Sequence, residues 1–152
     1  MSFDLKKRSL IAATLLFSSL SAVAAPQILD PWIAEVPPGA PVAGGFMELK
    51  NPDDKNVSLT AVTTPNAEAV ELHQTVIKGT MARMVLQDAI EIPANGSTQL
   101  APGGYHLMMF GPKDIVLGEQ VPLTLHFSDG SKQDVKAQVR KRSGGGHHHH
   151  HH

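Results

Sequence analysis

The stretch GGYHLMMFGP, Gly103 to Pro112, sets a histidine and two methionines side by side in a short apolar run bounded by glycine and proline. A strand over this run alternates its side chains, so Tyr105, Leu107 and Met109 share one face and His106, Met108 and Phe110 the other. His106 and Met108 are then neighbours on that face, roughly 6.5 to 7 Å apart along the backbone. Beyond the initiator the methionines are Met47, Met81, Met84, Met108 and Met109, and all but Met47 fall within the segment that contains His106. Thioether and imidazole donors together select a soft ion, above all Cu(I), whereas zinc and hard cations want other donors. Methionine also fills gaps in cores, and Met109, which shares its face with Tyr105 and Leu107, is read that way.

Of nine histidines, six belong to the C-terminal SGGGHHHHHH, an expression tag that is set aside together with its linker, residues 143–152. His73, His106 and His126 remain. In Val121 to Ser128 the residues Val121, Leu123, Leu125 and Phe127 form a core face, which leaves His126 outside with Thr124 and Ser128 as a solvated surface histidine. In Ala69 to Val76 the residues Val70, Leu72 and Val76 point inward, so His73 points out beside Glu71 and Thr75 and is not expected to be buried. An outward His73 and a methionine-rich turn after Lys78-Gly79-Thr80 add to the His106-x-Met108 pair, and the chemistry they suggest is copper binding.

These residues lie on short runs with alternating apolar positions, separated by VPPGAP, NPDDKN, PANGS, APGG and SDGS. That punctuation predicts an all-β sandwich or barrel, with strands at PWIAEV, GGFMELK, VSLTAVT, AVELHQTVI, TMARMVL, AIEI, TQLA, YHLMMF, VPLTLHFS and KQDVKAQV. No long amphipathic helical pattern and no internal repeat is present.

Lys6, Lys7 and Arg8 precede the apolar run LIAATLLFSSLSAVA, which ends in small residues of the A-x-A type. This reads as a secretory signal peptide, residues 1–24, cleaved after Ala24. Its apolar core is shorter than the roughly 20 residues of a spanning helix, so the mature form is not expected to insert in a membrane. Residues 25–142 form one domain of about 118 residues, enough to bury roughly 60 to 70% of its unfolded surface. Of 13 Lys and Arg and 14 Asp and Glu, the leader holds three and one, which leaves a mature charge of about −3 and no nucleic-acid or polybasic membrane surface. Cysteine is absent, so the chain has no disulfide, no CxxC redox motif and no thiolate ligand.

At this point the sequence resembles the periplasmic CuA-type copper chaperones. Their motif of His, ten residues, Met, twenty-one residues, His, any residue, Met falls on His73, Met84, His106 and Met108 with both long intervals kept. The likeness runs from PWIAEVPPGAPVAGGFMELKN through VELHQTVIKGTMARM and IPANGSTQLAPGGYHLMMFG to VPLTLHFSDGSKQDVKAQV. It implies a cupredoxin-like, Greek-key β-sandwich. It implies one Cu(I) per monomer at an exposed site made of His73, Met84, His106 and Met108. It also implies transfer in the periplasm to a copper acceptor, such as cytochrome c oxidase subunit II or another assembly carrier of the CuA centre. Ala34 stands where many members carry a basic residue, a departure expected to touch neither ligand nor core. Met81, three residues before Met84, is a reserve donor, and the tag is expected to bind Cu(II) or Ni(II) artefactually.

Three other readings compete. A blue-copper electron carrier needs a Cys thiolate, which the chain lacks. An enzyme is not expected, because no nucleophile elbow, HExxH or phosphate loop appears and Glu71, Asp88 and Glu91 read as ordinary solvated strand carboxylates. The remaining rival is a copper-free, secreted immunoglobulin-like β-sandwich that binds a protein partner with its methionines merely packed.

Overall fold

The computed structural model describes residues 24–142, and the expectations for the leader and the tag lie outside them. The described chain is all β. Its strands are β1 (Gln27–Ala34), β2 (Val42–Lys50), β3 (Val57–Thr63), β4 (Ala69–Lys78), β5 (Met81–Gln87), β6 (Ile90–Ile92), β7 (Ser97–Leu100), β8 (Tyr105–Phe110), β9 (Gln120–Phe127) and β10 (Lys132–Arg140). Each predicted strand has its counterpart. The largest difference is in β1, which starts four residues ahead of the predicted Pro31. Pro31 is tolerated inside it because the β1–β2 register shifts between Leu29 and Trp32, and such irregularities accept a residue that cannot donate to the ladder.

The strands pair in the order β5-β4-β8-β7-β2-β1-β10-β9-β3-β6, with β8 also pairing β2. β1 and β10 run parallel, and most other ladders are antiparallel. The result is the expected cupredoxin-like β-sandwich. One cluster fills it, with Ile33, Leu49, Leu59, Leu107, Met109, Leu125 and Ala137 shut off from solvent. Each large aliphatic side chain there contributes about 1.5 to 3 kcal/mol on leaving water, and this burial holds the domain without a disulfide. Met109 is core, as the alternation predicts, and His126 lies outside, its Nε2 3.4 Å from Thr63 Oγ1.

Two further contacts tie the frame. Asn51 is buried and donates to the carbonyls of Lys55 and Ile92, which fixes the β2–β3 connection. Arg140 on β10 forks onto the carboxylate of Asp30 in β1. The hydrogen bond from Arg140 holds the Asp30 carboxyl below its ordinary value and raises the guanidinium in turn.

The arrangement matters for function at one end of the strand order. There β5 is outermost, β4 is next and β8 third, so three adjacent strands bring the soft donors together.

Candidate metal centre

β4, AVELHQTVIK, is rich in β-branched residues and pairs with β5 on one side and β8 on the other. Its register sets the site. His73 lies directly opposite His106 of β8, Glu71 opposite Met108, and Thr75 opposite Met84 of β5. Side chains directly opposite each other share a face, and so do residues two apart on a strand. His73, Met84, His106 and Met108 therefore occupy one face of three neighbouring strands, and each methionine sits diagonally from His73. The imidazole centroids of His73 and His106 are 5.9 Å apart at an interplanar angle of 40°.

This face is not the solvated one that alternation suggested. His73 and His106 are only 9% and 6% exposed, which corrects the expectation of an unburied His73. The reason is tertiary. A cavity of about 180 Å³ is lined by Met84, His106 and Met108 and walled by Ala34, Gly44, Phe46 and Arg142, so residues of other elements border His106 on this face. Met84 opens furthest to solvent, at 57% exposure on the outermost strand, and Met108 is half-buried.

Each imidazole is held by one nitrogen and bare at the other. His73 Nε2 lies 2.7 Å from a carboxylate oxygen of Glu71. His106 Nδ1 lies 3.1 Å from the carbonyl oxygen of Gly104. A carboxylate and a carbonyl only accept, so in the neutral rings the proton sits on His73 Nε2 and on His106 Nδ1. The lone pairs are then on His73 Nδ1 and His106 Nε2, and both atoms are buried without a hydrogen-bond partner. Leaving a buried polar atom unsatisfied costs about 1 to 3 kcal/mol. Two bare imidazole lone pairs flanked by two thioethers fit a soft metal ion, since a ligating histidine gives its other N–H to a carboxylate or a carbonyl. Among the described residues no group of three or more His, Cys, Asp or Glu side chains could hold a metal, so the donor set is not one for a hard cation.

Several contributions were not expected. Glu71 is paired with His73 and is not an ordinary solvated carboxylate. Gly104, in the APGG turn, accepts both from Thr75 N–H and from the His106 ring, tying the ring to the β4 backbone. Both acceptors stand two residues ahead of their histidine, a spacing that the sequence displays. Gly44, opposite Met108, leaves room in the cavity, because a Cβ there would meet the Phe46 ring at 3.1 Å. Ala34 is buried and lines the cavity, so that position does touch both core and site. Met81 is 67% exposed and three residues from Met84, hence on the opposite face of β5, which removes it as a reserve donor.

Comparison with known proteins comes down on the same family. Residues 27–139 match the family described as LpqE-like. Lxx21020 of Leifsonia xyli subsp. xyli, named as a lipoprotein, is 32% identical over 120 residues, 78% of this chain and 71% of that protein. The solution structure of CuI-DR1885 from Deinococcus radiodurans is 32% identical, with a TM-score of 0.64 over 88% of this chain and 89% of that one. The copper-bound PCuAC domain from PmoF2, at 24% identity, shares the fold with a TM-score of 0.68 over 80% and 97% of the two chains.

Proposed function

This chain belongs to the LpqE-like family, whose structural relatives include PCuAC copper domains, and on that premise we propose that it is an extracytoplasmic copper chaperone. Its cargo is a single Cu(I) ion, taken by His73 Nδ1, His106 Nε2 and the sulfurs of Met84 and Met108. The observation that carries this reading is the pair of buried, partnerless nitrogens on cross-strand histidines, both on the face that bears the two methionines. A sandwich whose histidines served packing alone would bear the cost of two bare nitrogens with nothing to offset it.

All four donors are neutral and two are soft thioethers, which favours Cu(I) over Cu(II) and lets the ion leave without a redox step or a disulfide. The N–H groups of both rings are already engaged, which leaves one lone pair on each ring for the metal. Met84 is the most exposed donor, on a strand that among the described residues pairs only with β4. A copper acceptor reaches the ion from that side, replaces the Met84 thioether first, and draws the ion off the buried imidazoles last. The acceptor implied by the resemblance is the CuA-bearing subunit II of cytochrome c oxidase, or a carrier that serves it, in the periplasm.

Competition for Cu(I) against a chromophoric chelator, with tag-free protein, tests the reading. One equivalent bound by the wild type and none retained by His106→Ala is the expected result. Equal affinity in the two proteins would return the methionines and histidines to packing. Mixing the loaded chain with an apo subunit II domain then tests the direction of transfer.

A further inference from the structure

Glu71 lies beside the four donors without being one of them. It stands two residues from His73 on β4, on the same face, and directly opposite Met108. Its carboxylate oxygen is 2.7 Å from His73 Nε2. Its side chain is 43% exposed where that of His73 is 11% exposed, so the acceptor sits at the solvent boundary and the ring inside it.

We propose that Glu71 is a positioning residue for the metal centre, holding the His73 ring so that Nδ1, and not Nε2, is its donor atom. The inference rests on the copper reading above and adds to it the identity of the ligating atom and the residue that selects it. A neutral imidazole has one lone pair, and an acceptor fixed at one nitrogen leaves that pair on the other. At His73 the nitrogen left over is Nδ1, buried and without a partner. At His106 the Gly104 carbonyl acts the opposite way and leaves Nε2. The two rings therefore present non-equivalent nitrogens. Binding through Nε2 of His73 would break a short, charge-assisted hydrogen bond and leave the carboxylate without its donor. A carboxylate behind an imidazole also makes it a better donor, and its single negative charge offsets that of Cu(I). The oxygen itself is too hard to compete for the ion.

Ring nitrogen shifts and exchange rates in ¹⁵N-labelled, tag-free protein test this. In apo protein, with the rings neutral, His73 Nε2 carries the proton, and that proton exchanges slowly with water. On addition of Cu(I) the coordination shift falls on His73 Nδ1 and His106 Nε2. Glu71→Ala loses the protected proton and about tenfold in Cu(I) affinity, while its melting temperature stays within about 2 °C of wild type, as for a half-exposed side chain. Glu71→Gln, whose amide oxygen accepts the same bond, recovers the protected proton and most of the affinity. A coordination shift on His73 Nε2, or wild-type affinity in Glu71→Ala, overturns the proposal. Failure of the copper reading looks different. Wild-type protein would then bind no Cu(I) while the slowly exchanging His73 proton persisted in apo protein, and the metal role of Glu71 would fall with that reading.

Discussion

His73 and His106 face each other across the β4–β8 ladder, and each is pinned by the residue two positions before it, Glu71 for one ring and Gly104 for the other. The pair is thus preset with one lone pair per ring free. Preorganisation of this kind trades apo stability for a ready site, and the trade can be measured.

Replacing His106 by leucine removes an orphaned nitrogen and fills the space with apolar atoms. Gly104 keeps one donor, the N–H of Thr75. Apo His106→Leu is therefore expected to be no less stable than wild type and up to about 1 kcal/mol more stable, a rise of up to roughly 4 °C in melting temperature. The same variant loses the increase in melting temperature that Cu(I) gives the wild type. A loss of 2 kcal/mol or more in apo protein would mark His106 as a packing residue.

The two methionines of β5 should separate cleanly. Met84 lines the cavity with His106 and Met108, whereas Met81 points from the other face. Met84→Ala is expected to weaken Cu(I) binding by roughly tenfold or more and Met81→Ala to leave it unchanged, on the scale by which altered metal surroundings change affinity. Both side chains are exposed, so both apo proteins should unfold within about 0.5 kcal/mol of wild type. Chelator competition and urea titration read the two effects separately.

Gly44→Ala probes the space beside the site. The new Cβ would sit 3.1 Å from the Phe46 ring, which is buried and tilted against Trp32 with ring centroids 4.6 Å apart. The ring must give by a few tenths of an ångström against Trp32, so a cost of about 1 to 2 kcal/mol is expected from overpacking. A shift in tryptophan fluorescence should accompany it, since Trp32 is the sole tryptophan. Unchanged urea midpoints would mean that the ring moves freely.

Acid sensitivity should trace in part to Asp30. Its carboxyl is held below the ordinary value by Arg140, so the folded state binds its proton less readily than the unfolded state. The stabilisation is present above the unfolded value of about 3.9 and is lost as pH falls through the lower folded value. Asp30→Asn keeps a residue that tolerates the positive φ of 48° at this position. The difference in urea midpoint between wild type and this variant should be constant near neutral pH and shrink below about pH 4. A difference that persisted at pH 2 would assign the effect to the backbone.

The strands, the core role of Met109 and the outward His126 were legible because alternation and turn residues are local properties. The grouping of His73, Met84, His106 and Met108 came from the motif of the family that the sequence resembles, and the β5–β4–β8 register shows how such distant residues come to share a face. What covers that face was not legible. Alternation divides a strand into two sides but does not say whether the second side meets water, and here Ala34, Gly44, Phe46 and Arg142 from β1, β2 and the segment after β10 border it. The hydrogen bonds from Glu71 and Gly104 had a visible signal, the i−2 spacing, which becomes meaningful only once the rings are known to be buried.

Arg142 lines the cavity, whereas β1 carries the chain from Gln27 at the far end of the strand to Ala34 at the cavity wall. Whatever is fused after Arg142 therefore begins on the doorstep of the donor set. A polyhistidine tail placed there would bring further imidazoles close to the site, and a fluorophore or solid support attached there would crowd the approaching acceptor. Attachment ahead of Gln27 leaves that approach clear.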